Sequence, residues 1–180
     1  LFVIVALGET ILITGATLSE LEVWSMPIVI ASLVAFVGSL AMWWVYFDTS
    51  SKAGSHAIQK ADNPGQMGAR FHYVHVVLVG AIIVCAVANE LVIVHPDGHI
   101  TVADAAVLLL GPAAYLLANA IYKFLVYRRF PLSHIGGLGA LAVLIPIAFT
   151  TDRLMVNGLT TVVMVIVAGW ESLSRRRNLA

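Results

Sequence analysis

The sequence predicts an all-α polytopic membrane protein with about six transmembrane helices and both termini on the cytoplasmic side. Of its 180 residues, 60% are apolar and only 11% are charged, and the mean hydropathy is +0.94. Soluble domains average about 25% charged residues, so this chain cannot cover itself with a solvated surface. We therefore interpret residues 1–180 as a single helical domain whose immediate partner is the lipid bilayer.

Six stretches are long and apolar enough, or nearly so, to cross the membrane. A helix needs about 20 residues to span a hydrocarbon core of about 30 Å. The predicted spans are 1–18, 23–47, 71–95, 102–125, 132–150 and 154–171. Helices are favoured over strands because lipid offers no partner to open backbone groups. Short polar segments, including the turn Asn63-Pro64-Gly65, separate the spans.

The basic residues predict the orientation. If Leu1 starts on the cytoplasmic side, nine of the ten Lys and Arg residues fall in cytoplasmic loops or at the adjoining helix ends, and only Arg153 lies outside. The nine are Lys52, Lys60, Arg70, Lys123, Arg128, Arg129, Arg175, Arg176 and Arg177. Positively charged loops stay on the cytoplasmic side, and this asymmetry requires an even number of spans.

The composition also narrows the classes of function. The formal net charge is zero and the basic residues sit in loop clusters, so no nucleic-acid partner is expected. No phosphate-binding loop, nucleophile elbow or zinc-protease motif occurs. The single cysteine, Cys85, excludes a disulfide within the chain. Because Leu1 already lies in an apolar run, we expect the chain to be a piece of a longer protein.

Glu9 is the most informative residue, because it lies in the middle of the first predicted span. A carboxyl group at that depth must be protonated, paired or hydrated, and such groups usually mark ion pathways. Gly8 would let another backbone or a water molecule approach, and Thr10 would share a proton or an ion. The alternative is a neutral carboxyl that only packs against a neighbouring helix.

A second polar group is expected at the cytoplasmic ends of the second and third spans. His72 and His75 are three residues apart and share a helix face, and Asp48 and Arg70 lie on the same side of the membrane. Asp48, His72 and His75 would then form a proton relay or a weak metal site. The alternative is two interfacial histidines beside an Asp48–Arg70 ion pair.

Other polar residues inside the spans complete the set of candidates. Glu90, in the outer third of the third span, is a further ion or proton site candidate. Asn119 shares a face with Tyr115 in the fourth span, where it would line a polar seam with Glu9 or form a hydrogen-bonded packing face. Asp104 lies at the start of that span, where an acidic side chain favours the helix dipole and caps the helix.

Several segments resemble the bacterial low temperature requirement A family. The start of the chain through Ala16, with its Leu-Gly-Glu-Thr motif, the helix end Trp43-Trp44-Val45-Tyr46-Phe47-Asp48, and the third span from Tyr73 through Glu90 to Pro96 carry the resemblance. It implies a multi-pass protein of the bacterial cytoplasmic membrane. It also implies that this chain is a C-terminal half whose partner is the N-terminal half. The resemblance supplies no reaction, cofactor or catalytic residue that could be carried over to this chain.

We therefore expect a transporter or channel-like protein that carries an ion, a proton or a small molecule, with Glu9 as its intramembrane site. One alternative is a membrane-embedded enzyme acting on lipid, with a metal held by Asp48, His72 and His75. Another is a non-catalytic component of membrane stress adaptation. The sequence favours a protein that is not an enzyme and leaves any cofactor unspecified.

Overall fold

The computed structural model describes residues 2–48, 54, 57–59 and 61–177. Residues 175–177 are described by their backbone alone. Lys52, Lys60 and the side chains of Arg175, Arg176 and Arg177, which the charge argument uses, lie outside the described part. Six long helices fill it. They are α1 (Phe2–Glu20), α2 (Met26–Phe47), α3 (Pro64–Val94), α4 (Val102–Tyr127), α5 (Leu132–Ala148) and α6 (Arg153–Arg177).

The all-α membrane-type fold is confirmed. Five helices are long and apolar enough to cross a bilayer, namely all but α5. Helix α5 is apolar but has only 17 residues, so it extends about 26 Å against a hydrocarbon core of about 30 Å. Helix α3 begins seven residues earlier than the predicted span of 71–95, because Asn63 caps it and Pro64 occupies its first turn.

The predicted cap at Asp104 is confirmed. The backbone N–H of Asp104 donates to the Thr101 hydroxyl, and the Asp104 carboxylate accepts from the backbone N–H of Thr101, which together form a capping box. The same carboxylate accepts from Arg153 at 2.9 Å. Arg153, at the start of α6, is thus neutralised by the start of α4.

Helices α3 and α4 form the most extensive contact of the bundle, and the other helices pack around them. Helix α1 lies on α3 and α2, helix α2 lies on α6, and α5 lies between α4 and α6. The backbone of α5 approaches its neighbours closely at Gly137, where a Cβ would lie 2.6 Å from Val167 and 2.9 Å from Leu116. Large apolar side chains also cover the outside of the bundle, as lipid contact requires.

Candidate functional site

The candidate site is an ion pair buried between α4 and α6. Lys123 is 2% exposed, and its Nζ atom lies 2.5 Å from each carboxylate oxygen of Glu171. The same ammonium donates to the backbone carbonyl of Val45 in the last turn of α2, at 3.1 Å. The Glu171 side chain is 12% exposed, so the pair is shielded from solvent on almost every side.

Helix α5 contributes a histidine to this ion pair. His134 is fully buried, and its Nε2 atom lies 3.5 Å from Lys123 Nζ. An ammonium only donates, so this contact requires Nε2 to be the acceptor and leaves the ring proton on Nδ1. That nitrogen lies 3.2 Å from the Ser133 hydroxyl and 4.0 Å from Glu171. We call Lys123, His134 and Glu171 the ion-pair cluster.

Asp48 extends the cluster toward the nearby helix ends. The hydroxyl of Ser172, which follows Glu171 on α6, donates to Asp48 Oδ2 at 2.8 Å. That hydroxyl in turn accepts from the Trp44 indole at 3.0 Å. Asp48 caps the C-terminus of α2, so these bonds join the ends of α2 and α6. A second carboxylate is therefore held beside the cluster, close to the bundle surface.

Two buried polar side chains lie on α4 beyond the cluster. Asn119 is one turn from Lys123, Tyr115 is a further turn along, and both are 0% exposed. The Tyr115 hydroxyl donates to the Met42 carbonyl at 2.6 Å, and the Asn119 amide nitrogen donates to the Tyr115 carbonyl at 3.2 Å. The Asn119 Oδ1 atom accepts no hydrogen bond from any residue that the structure describes. An acceptor thus remains available inside the bundle.

A small cavity lies in the other half of the bundle. It measures about 30 Å³, and Asn89, Asn157 and Thr160 supply polar groups to its lining. The Asn157 amide donates to Asn89 Oδ1 at 3.3 Å. Pro112 also lines the cavity, and because proline has no N–H, the carbonyl one turn earlier lacks its helical partner. A cavity of this size holds one or two water molecules. We call it the amide cavity.

Glu9 does not lie in this interior. It is on the exposed side of α1, whereas its neighbour Thr10 is buried and bonds to Ser39 on α2 at 2.8 Å. Glu9 is exposed and Asn119 is fully buried on α4, so the two side chains do not form the suggested polar seam, and Asn119 instead bonds within the α4 packing face. Glu90 is also exposed. Of the four predicted ion-site candidates, the structure places only Thr10 and Asn119 inside the bundle.

The suggested metal site is wrong as well. His75 has both ring nitrogens engaged, with Nδ1 2.7 Å from the Phe71 carbonyl and Nε2 2.7 Å from the Tyr46 hydroxyl. His72 and Arg70 are exposed, and Asp48 bonds to α6 instead. Within the described ranges, no three His, Cys, Asp or Glu residues come together as metal ligands do.

The ion-pair cluster is not evident from the sequence. Lys123 resembles the other basic residues at the helix ends, and no local motif gives a role to His134 or Glu171. The three residues come from three helices, and 48 positions separate Lys123 from Glu171, so no local spacing could reveal the contact. The sequence signal was that each of the three residues lies within an apolar helix rather than in a loop.

Comparison with known proteins identifies the family. A protein of Rhizobium meliloti, described as uncharacterized, is 33% identical over 174 residues, which are 95% of this chain and 42% of the relative. The chain therefore spans less than half the length of that relative. No solved structure matches the chain. The family model for the bacterial low temperature requirement A protein matches residues 1–169, and the chain belongs to that family.

Proposed function

We propose that this chain is part of a membrane transporter or channel-like protein that moves protons or small ions, and that the ion-pair cluster is its ionisable site. The observation that carries the proposal is the burial of Lys123 and His134 beside Glu171. Ionisable side chains within transmembrane segments are costly, and they typically belong to ion and proton pathways. Packing alone does not need them, because apolar residues fill such positions equally well.

The distribution of the other buried polar groups supports a path across the bundle. The amide cavity involves Asn157 near the start of α6, whereas Glu171 lies near the other end of that helix. Tyr115 and Asn119 lie between them along α4. Proton relays need polar groups and water at intervals rather than an open pore.

The proposed orientation puts the ion-pair cluster toward the cytoplasm and the amide cavity toward the outside. It follows the charge asymmetry of the loops. The Arg153–Asp104 pair fits this orientation, since the one basic residue on the outer side is neutralised locally. The bacterial cytoplasmic membrane is the proposed location, with all six helices crossing it.

The test is proton flux into liposomes that contain the purified chain and a trapped pH-sensitive dye. A potassium gradient with valinomycin supplies the driving force. The wild type is compared with the variant Lys123→Met/Glu171→Gln, which removes both charges together and so leaves neither one buried and unpaired. The matched control is Arg153→Met/Asp104→Asn, a similarly shielded pair whose side chains are 16% and 13% exposed.

We expect the wild type and the control pair to move protons faster than protein-free liposomes, and the Lys123 and Glu171 variant to show only the lipid leak. Flux is normalised to folded protein by circular dichroism and gel filtration. Wild-type flux equal to the lipid leak would contradict the proposal. So would full flux in the Lys123 and Glu171 variant, which would give the pair a purely structural role.

A further inference from the structure

Helix α1 lies at the edge of the bundle and buries only one side. The residues that pack against α2 and α3 are Val3, Ala6, Leu7, Thr10 and Thr17. The opposite side is open. Phe2, Val5 and Leu12 are 69%, 64% and 68% exposed, and Glu9 and Ala16 are exposed with them. These five residues follow the three- and four-residue spacing of one helix face, which we call the Glu9 face.

Contact between the Glu9 face and lipid would be unfavourable because of the Glu9 carboxyl group. Glu9 is about 11 Å from one end of α1 and about 17 Å from the other, at 1.5 Å per residue. No residue that the structure describes forms an ion pair or a hydrogen bond with its side chain. A carboxyl at this depth is costly in lipid and normally faces protein or a water-filled cavity.

Two glycines of α1, Gly8 and Gly15, also indicate that this surface contacts protein. A Cβ atom added at Gly8 or at Gly15 would meet nothing within 4 Å. Packing within this chain therefore gives no reason for glycine at either position, although glycine weakens a helix. In membranes, small residues on a helix surface let a second helix approach closely. The surface next to Glu9 is thus shaped for contact with another helix.

The chemistry of Glu9 narrows the choice of partner. In the described part of the chain, Lys and Arg side chains lie near helix ends or, as Lys123 does, inside the bundle. Glu90, an exposed residue four positions from the end of α3, is also acidic. Helix α1 has no Lys or Arg, so a second copy that met α1 through the same face would oppose Glu9 with another carboxyl. A helix from outside this chain would provide the missing donor, and more than half of the Rhizobium relative lies outside the matched region.

We propose that the Glu9 face of α1 binds a transmembrane helix from outside this chain, and that this helix carries an arginine, a lysine or another hydrogen-bond donor at the depth of Glu9. The donor pairs with the carboxylate, and the open surface at Gly8 and Gly15 admits the backbone of the incoming helix. This interface is separate from the ion-pair cluster and does not depend on transport.

The test uses synthetic transmembrane peptides as probes in phosphatidylcholine vesicles. Two Leu/Ala helices of about 22 residues differ only in a central Arg or a central Leu. Energy transfer is measured from the labelled peptide to a dye attached at a cysteine in place of Glu22. We expect the Arg peptide to bind wild type about 3- to 30-fold more tightly than the Leu peptide, the range for one interhelical hydrogen bond in a membrane.

Glu9→Leu must abolish this preference, and Glu9→Gln must reduce it by removing the charge while keeping the size. The matched control is Glu20→Leu, which removes a carboxylate from the end of the same helix and must leave the preference intact. Equal binding of the two peptides to wild type would overturn the proposal, as would a preference that survives Glu9→Leu. Energy transfer between two labelled copies that Glu9→Leu abolishes would assign the face to self-association and overturn it too.

Discussion

The ion-pair cluster makes a quantitative prediction about stability. In wild type, the Lys123 ammonium has the Glu171 carboxylate 2.5 Å away and the Val45 carbonyl 3.1 Å away. Glu171→Gln leaves an ammonium that is 2% exposed with a carbonyl and an imidazole as its neighbours. Removing one partner of a buried pair costs about 3–5 kcal/mol. The Glu171 side chain is 12% exposed, which admits some water, so we expect about 3 kcal/mol.

The reverse change is expected to cost less. Lys123→Met leaves the carboxylate of Glu171, the more exposed member of the pair, at a loss of about 1–2 kcal/mol. The double variant Lys123→Met/Glu171→Gln has no unpaired charge and should lie within about 1 kcal/mol of wild type. These values imply a coupling energy of about 3–5 kcal/mol between the two positions.

The assay is equilibrium unfolding of the purified chain in mixed micelles, followed by circular dichroism for wild type, both single variants and the double variant. A double-mutant cycle then gives the coupling energy directly. Additive losses, with a coupling below about 0.5 kcal/mol, would refute the reasoning. Additive losses would mean that water solvates the Lys123 ammonium well enough that Glu171 does not stabilise it.

Three further predictions use the same unfolding assay. Gly137→Ala should lower the free energy of unfolding by about 1–3 kcal/mol, because the new Cβ would lie 2.6 Å from a methyl group on α6. Gly139→Ala meets nothing within 4 Å and should raise it by up to about 1 kcal/mol. Equal effects of the two changes would contradict the packing of α5. Tyr115→Phe should lose about 1 kcal/mol with its buried hydrogen bond, and Tyr73→Phe, at a 71% exposed position, should change nothing. Asp104→Ala should lower the free energy of unfolding by about 1–2 kcal/mol, because it removes the capping box. An unchanged unfolding midpoint would show that the capping box does not stabilise the chain.

Much of the fold could be predicted from the sequence, because apolar length and turn residues are local signals. The pair Asn63-Pro64 marked a helix start, and Asp104 at the start of an apolar run indicated a cap. The pair Asn63-Pro64 is also a turn signal, and for that reason the predicted third span begins too late. Most helix ends were therefore predictable to within about three residues, whereas the start of α3 and the end of α6 differ by seven and six.

The direction of each polar side chain could not be predicted. Glu9 and Thr10 are adjacent, yet one is exposed and the other is buried, because the packing of α1 on its neighbours decides which face is covered. Lys123 looked like a loop charge from its position near a helix end, but its side chain turns inward to Glu171. Contacts between distant helices carry no signature in a single sequence.

The proposed orientation depends most on α5, the shortest of the six long helices described, because this helix carries His134 into the ion-pair cluster and must cross the membrane. The direct measurement is labelling of intact cells with a membrane-impermeant thiol reagent, using single cysteines on either side of α5. Cys85, the only native cysteine, is replaced by alanine, and cysteine is introduced by Phe130→Cys or Thr150→Cys. We predict that the cysteine at 150 is labelled from outside and that the cysteine at 130 is labelled only after permeabilisation. Labelling of both positions from the same side would contradict a six-span bundle.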